Sequence, residues 1–520
     1  MNANTRYAVP GHPSGARAAA RAVAWIAAAV LACLSVFLIN GKPLFYFDTV
    51  GYISQGHSAL RLLGIEGESP LAKRGEAVKE ARAADKPATM PDMAEINAKN
   101  TVDGSRSTFY AILSGALARL GALEGLMLIN IAAVLLAIYL PLRVASRRWG
   151  LPVPLSQAVS MPVIVACLGS LPFFVAYLMP DTFAPVLILV FARLGVFSRQ
   201  MTVPEILLAL ALGMMAIVSH LSHLAIGVLL VPLAALASLM LSRRRWWLAP
   251  ALGLVIVGVG FAEQSALRST AKAVSQSEVV IKPYITARLI QDGPGLRYLE
   301  KHCPDDRIAT CHLYEALQWS DDPYRITATH IVFETSPRLG SFRLMPARDQ
   351  KAVADEQIGF FFDVLFDMPV ATIAAFARNA FIQSGWVAVD LTIPTDNVIA
   401  QNAGVTALIT GDFDHGRITR DTGWLGPLTL AHQVLYLVSF AVIVVLIALP
   451  RRVPYEMKVF AIAVVLGILV NALVCGGISQ PSTRYGARVI WLLPALATVL
   501  AIFARRSRGY DEGRSGWGAA

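Results

Sequence analysis

The chain has 520 residues, 55% of them hydrophobic and only 15% charged, with a mean hydropathy of +0.56. That balance excludes an ordinary soluble domain and marks a polytopic membrane protein, a mainly α-helical bundle, because helices satisfy their own backbone in lipid. The formal charge of +10 does not point to nucleic acid, since the arginines fall in short clusters between apolar runs rather than along one face. Arginine outnumbers lysine, a usage typical of GC-rich bacterial genes, so the expected setting is a bacterial inner (cytoplasmic) membrane.

Apolar runs of about 17–25 residues are long enough to cross ~30 Å of hydrocarbon. About ten occur, near 22–40, 124–142, 153–171, 182–198, 203–219, 224–241, 247–264, 427–449, 458–478 and 487–504. Arg17 and Arg21 precede the first. Arg143, Arg147 and Arg148 follow the second, Arg193 and Arg199 the fourth, and Arg243, Arg244 and Arg245 the sixth. Arg451 and Arg452 follow the eighth, and Arg505, Arg506 and Arg508 the tenth. The positive-inside rule then ends every even-numbered helix in the cytoplasm and puts both termini there. The chain divides into a transmembrane module at 1–264 with a first periplasmic loop at 42–123, a mixed, mainly helical periplasmic domain at 265–426, closing helices at 427–504 and a cytoplasmic tail at 505–520.

The first run lacks a small-residue cleavage site and reads as a retained helix. It is followed by Asp48, in Phe45-Tyr46-Phe47-Asp48-Thr49-Val50-Gly51-Tyr52. A carboxylate where an apolar bundle meets water is partly desolvated, which raises its pKa and suits it to act as a general base or metal ligand; the competing role is to cap the following helix. An amphipathic stretch from Val50 to Leu63 and Thr108–Leu113 are expected at the membrane surface. A polar insertion at 66–99 reads as a solvated helix.

Asp181, in Pro180-Asp181-Thr182, opens the fourth run and returns a second carboxylate to the same face. The two acids could share a proton, a metal or an acceptor hydroxyl. His220 and His223, at i, i+3 in the turn before the sixth run, could bind an anionic head group or cap a helix hairpin. Cys303 and Cys311 bracket a short loop and read as a disulfide in an oxidising compartment, whereas Cys33, Cys167 and Cys475 lie within apolar runs. Val370–Ile382 is amphipathic but too short to span and is placed at the interface. Arg484 and Arg488, one turn apart beside Tyr485, break the positive-inside pattern. Their guanidinium forks suit a lipid phosphate, or an ion pair with an acid of the outside domain.

An acid after the first helix, an interfacial helix, the Arg106-Ser107-Thr108-Phe109-Tyr110 stretch before the second helix, Pro180-Asp181 opening the fourth and Arg484-Tyr485 opening the last form one pattern. It resembles the polyprenyl-phosphate-dependent glycosyltransferases of the C superfamily (the GT-C fold), nearest the lipid A aminoarabinose transferases and protein O-mannosyltransferases. The likeness covers 1–264 and, more loosely, the closing helices. It implies a sugar donor on a polyprenyl phosphate, a glycan, lipid or protein acceptor, and inverting displacement on the periplasmic face. It makes Asp48 the base or acceptor-binding acid, Asp181 a second acid and Arg484 a phosphate contact, with Tyr52, Tyr485, Arg488, His220 and His223 lining the substrate. Thr49 stands where the O-mannosyltransferases carry a second acid, which leaves open whether a divalent metal ion takes part. The rival readings are a transporter or lipid flippase and a non-enzymatic envelope assembly protein.

Overall fold

A computed structural model describes residues 15–74, 101–275, 278–336 and 338–515. The insertion expected at 66–99 falls for the most part outside them. The first apolar run forms α1 (Gly15–Asn40), followed by α2 (Phe47–Leu62), α3 (Thr108–Arg119), α4 (Gly125–Trp149), α5 (Leu155–Ala166) and α6 (Leu171–Ala176). Next come α7 (Phe183–Phe197), α8 (Val203–Ile217), α9 (Leu221–Leu241) and α10 (Leu248–Thr270). A set of shorter helices follows: α11 (Tyr284–Asp292), α12 (Pro294–His302), α13 (Thr310–Leu317) and α14 (Ala328–Phe333). Two longer ones, α15 (Ala347–Asp367) and α16 (Pro369–Gly385), lead to α17 (Asp396–Asn402). The chain closes with α18 (Leu425–Ala448), α19 (Tyr455–Leu473), α20 (Thr483–Ile490) and α21 (Leu492–Ser515).

Among the described residues, eight helices are long and apolar enough to cross a membrane: 16–40, 125–149, 180–197, 221–241, 248–273, 425–448, 455–479 and 483–505. The protein is a multi-pass membrane protein. Two of the ten expected runs are present but shorter than those spans or broken. α8 has 15 residues, about 22 Å at 1.5 Å per residue, and the run at 153–171 is broken between α5 and α6. Pro172 cannot donate a helical hydrogen bond. The backbone N–H freed at Ser170 donates to the Tyr436 hydroxyl at 2.9 Å, and the Ser170 side-chain hydroxyl donates to the Ala487 carbonyl at 2.6 Å. Such repair is what lets a helix break at membrane depth.

α2 and α3 lie with their backbones in contact. A Cβ on Gly56 would come 1.8 Å from the Ala111 carbonyl oxygen, and one on Gly115 would come 2.5 Å from Gly56. Glycine at both positions is what permits this approach. The chain before α3 is tied to the chain after α10 by a parallel pair of short strands, β1 (Thr101–Asp103) and β2 (Glu278–Val280), with Asp103 opposite Val280.

Two hydrophobic cores result. The larger joins the membrane helices with the segment from Val387 to Phe413; Glu124 clasps that segment, its carboxylate accepting from the backbone N–H groups of Ile409 and Thr410 at 3.1 and 2.9 Å. The smaller is built from α11 to α15 around Leu289, Leu299, Leu313, Ile331 and Phe360. The 265–426 segment therefore contributes to both.

Cys303 and Cys311 are joined by a disulfide, while Cys33, Cys167 and Cys475 are free. Denatured, unreduced protein is expected to expose three thiols to alkylation and reduced protein five, read by intact mass. Cys303→Ser should destabilise the smaller core by about 2–3 kcal/mol on the chain-entropy estimate.

Candidate active site

The chain leaving α1 is stitched to the chain leaving α6. The Leu44 N–H donates to the Ala176 carbonyl and the Leu178 N–H to the Leu44 carbonyl, both at 2.8 Å. This short parallel bridge brings Asp48, in the first turn of α2, and Asp181, in the tight turn Pro180–Thr182 that opens α7, to one end of the bundle. Tyr46, not Asp48, occupies the N-cap of α2; its N–H donates to the Thr49 hydroxyl at 3.0 Å. Capping therefore does not account for Asp48, although an acid in a first helical turn is favoured by the helix dipole.

The partner of Asp48 is Arg106, which donates through Nη2 at 2.8 Å. The same guanidinium donates through Nη1 to Asp103 Oδ2 at 2.9 Å, and Lys282 donates to that same oxygen. The β1–β2 register is what puts Asp103 and Lys282 together. Burial works to raise the Asp48 pKa, but the charge of Arg106, then of Arg484, the Arg106 hydrogen bond and Lys282 outweigh it, and the carboxyl sits below the usual carboxylate range. The upward shift expected from sequence is thus reversed: desolvation was foreseen, and the cation beside it was not. Burial is likewise outweighed at Asp103, held low by Lys282 and Arg106. The Asp48 side chain keeps 38% of its surface open to solvent.

Asp181 is the opposite case, wholly enclosed. Arg484 grips it with two parallel bonds, Nε to Oδ1 at 3.0 Å and Nη2 to Oδ2 at 2.6 Å, and Arg488 approaches Oδ1 at 3.4 Å. The arginines are indeed ion-paired, but with an acid of the membrane bundle rather than of the outside domain. Arg488 also donates to Asn471 Oδ1 at 2.9 Å from Nη2 and to the Ser222 hydroxyl at 3.3 Å. The Arg484 guanidinium carbon lies 5.0 Å from the Tyr46 ring centre and 5.4 Å from that of Tyr177, and Arg488 lies 4.9 Å from Tyr485. These aromatic faces hold cations that water cannot reach.

The two histidines approach within 5.4 Å, ring centre to ring centre, but face different ways. His220 Nδ1 accepts from the Ser222 N–H at 3.1 Å and caps α9. Burial first, then the charge of Arg488, lowers its pKa to about 4, so the imidazole is neutral near pH 7. His223 is buried, its Nδ1 on the Ala216 carbonyl at 2.7 Å and its Nε2 without a partner. Tyr52 is enclosed against Tyr110 at 5.0 Å, and burial followed by the Asp48 charge keeps it a neutral phenol. Next to His220, a small cleft is lined by Ser107, Glu263 and Gln264.

Within these ion pairs Asp48, Asp103 and Asp181 face Arg106, Lys282, Arg484 and Arg488, and Glu263 lines the adjoining cleft, so four acids stand against four bases, with two of the guanidinium groups gathered on Asp181. Among the described residues no group of three or more His, Cys, Asp or Glu converges. With both Asp48 and Asp181 gripped by guanidinium, this donor set does not suit the divalent metal ion left open by the sequence. The arrangement suits an anion instead.

Sequence reasoning did not single out Arg106, Asp103, Lys282 or Asn471. Arg106 did stand in the stretch that carried the family resemblance; the others gave no local signal.

Neither a scan against protein-family models nor a search of curated proteins returned a match. Among solved structures, the chain is similar to a crystal structure of ArnT from Cupriavidus metallidurans bound to undecaprenyl phosphate, at 12% identity, covering 95% of this chain and 78% of that one, with a TM-score of 0.32. That likeness is weak, and the functional reading rests on the residues of this chain.

Proposed function

We propose that the protein is a membrane glycosyltransferase that moves a sugar from a polyprenyl-phosphate donor to an acceptor. In this reading the site lies on the periplasmic face of a bacterial inner membrane, with both termini in the cytoplasm. The observation that carries it is the pair of guanidinium groups, Arg484 and Arg488, gathered with a half-open carboxylate, Asp48, at one end of a bundle of membrane helices. A lipid phosphate at a membrane surface needs the first, and an acceptor nucleophile needs the second.

The displacement runs in one step. The acceptor hydroxyl or amine attacks the anomeric carbon, the bond from that carbon to the phosphate oxygen breaks, and polyprenyl phosphate leaves with the electron pair. The configuration inverts. Asp48, ionised and held by Arg106, orients the acceptor and takes its proton as the new bond forms. Arg488 and Arg484, held by Asp181 and Asn471, supply the field that stabilises the phosphate. Neutral His220 and Tyr52, with Tyr485 and His223, shape the wall. The low Asp48 pKa means that the base is already ionised above the usual carboxylate range, so Asp48 should give no acid limb in the rate profile between about pH 5 and 8.

Purified protein in vesicles, offered a panel of polyprenyl-phosphate sugars and candidate acceptors, should consume one donor and release polyprenyl phosphate. Solute transport without donor consumption would instead favour the transporter reading.

A further inference from the structure

The elbow between α15 and α16 takes no part in this chemistry. The two helices are bent by 116° and together are as apolar as a membrane span, the form of a broken span or a re-entrant loop. On α15, Ile358, Phe362 and Phe366 recur every four residues, the spacing of one helix face. On α16, Val370, Ile373 and Phe381 form a second row. All six are between 47% and 80% exposed; Phe366 and Val370 flank the corner, and within α15 Phe362 stacks on Phe366 at 6.1 Å. Large contiguous apolar surface of this kind marks a contact.

The opposite face of α16 fixes its depth. A Cβ on Gly477 would come 2.6 Å from the Phe376 ring, and one on Gly476 would come 2.6 Å from the Asn379 carbonyl oxygen. Both glycines lie in the π-helical turn Val474–Ser479, which ends the span of α19. Gln383 bonds the backbone of Ser482 in both directions, at 2.8 and 2.9 Å, one residue before the last span begins. α16 therefore runs alongside the bundle where two spanning helices emerge, and Leu469 and Leu473 of α19, shortly before those glycines, are exposed as well.

The charges on the elbow are for the most part neutralised. Asp367 pairs with Lys301 at 2.6 Å and Arg378 with Asp292 at 3.3 Å; Asp363 is exposed on the neighbouring row of α15. The polar half of α15, with Arg348, Asp349, Lys351 and Asp355, lies at its far end.

We propose that the α15–α16 elbow is immersed in the lipid leaflet on the site side of the membrane, with acyl chains covering Phe366, Val370 and Ile373. The depth set by Gly476 and Gly477 leaves hydrocarbon as the solvent for that row, and an apolar helix face of this size sinks ~5–10 Å into the headgroup boundary. Through Gln383 the immersed helix holds Ser482, and so the start of α20 that carries Arg484, at headgroup depth. The inference stands on the membrane fold and not on the proposed reaction.

The test is nitroxide accessibility in the full chain reconstituted in phosphatidylethanolamine–phosphatidylglycerol vesicles. Labels are placed by Phe366→Cys and Ile373→Cys, with Asp355→Cys as the water-exposed reference and unsubstituted protein as the blank for Cys33, Cys167 and Cys475. At 366 and 373, collision with oxygen should exceed collision with nickel ethylenediaminediacetate severalfold relative to 355. Strong nickel collision at both positions would place the elbow in water and overturn the proposal. So would exclusion of both reagents, which with dipolar broadening would mean a second copy of the chain and without it cover by another segment of the same chain. Two labelled positions guard against a fold lost at either one.

Discussion

Replacing Asp48 by asparagine is expected to lower sugar transfer by about 10²–10⁴-fold, the usual contribution of a positioned general base, while leaving the protein folded. The asymmetry follows from exposure. The Asp48 side chain is more than a third open to solvent and its one ion-pair partner, Arg106, a quarter open, so the pair contributes no more than about 1 kcal/mol to stability. Arg106 also keeps Asp103, and Asp103 keeps Lys282; removing the charge on Asp48 does not strand a cation. The sign of the pH effect follows from the same contacts. Because the folded-state pKa lies below the ordinary value, the stabilisation is fully present above that value and is lost as pH falls through the folded one. Transfer assays in vesicles and thermal melts of the same preparation measure both quantities. Unchanged transfer by Asp48→Asn would remove the carboxylate from the mechanism, and a large fall in melting temperature would show that it is structural.

What the sequence disclosed and what it hid divide along one physical line, the distance in sequence between cause and effect. The long apolar helices were legible because lipid imposes a length and a composition on each run separately. The helix after Asp48 was legible from its own local pattern, as was the pairing of two cysteines eight residues apart. The break between α5 and α6 was not, because Ser170 is satisfied by Tyr436 and Ala487, 266 and 317 residues away. The candidate acids were visible as polar residues at the ends of apolar runs. Their partners were not: Arg106 reaches Asp48 across 58 residues and Arg484 reaches Asp181 across 303. The first of these meetings depends on a strand pair and on two glycines in contact, neither of which any local window signals. Hence the Asp48 pKa was read in the wrong direction, and Asp181, read as a second acid at the site, is found enclosed by the arginines for which the sequence left open a lipid phosphate or an ion pair with an outside acid.

That enclosure makes the opposite prediction for Asp181. Asp181→Asn should destabilise the protein by about 3–5 kcal/mol, the cost of stranding a buried charge by removing its partner. Asp181 is 1% exposed, Arg484 5% and Arg488 not at all. Asparagine keeps the shape but leaves two guanidinium groups with no neutralising carboxylate, and the Asn471 side chain and the tyrosine faces cannot replace a full negative charge. The substitution should therefore reduce the yield of folded protein and its melting temperature, and lose transfer as a consequence. Arg484→Gln made in the Asp181→Asn background should recover part of the stability, because one stranded charge has gone, although transfer should stay lost. A double-mutant cycle in detergent-solubilised protein measures that coupling. If Asp181→Asn instead melts like the unsubstituted protein and fails only in transfer, Asp181 acts on the substrate and the arginines are held by something else. Equal melting of the single and double variants would show that the pair is not the source of the stability. The two carboxylates, alike in sequence as acids at the ends of membrane helices, thus separate by experiment into one that is open and dispensable for folding and one that is enclosed and required for it.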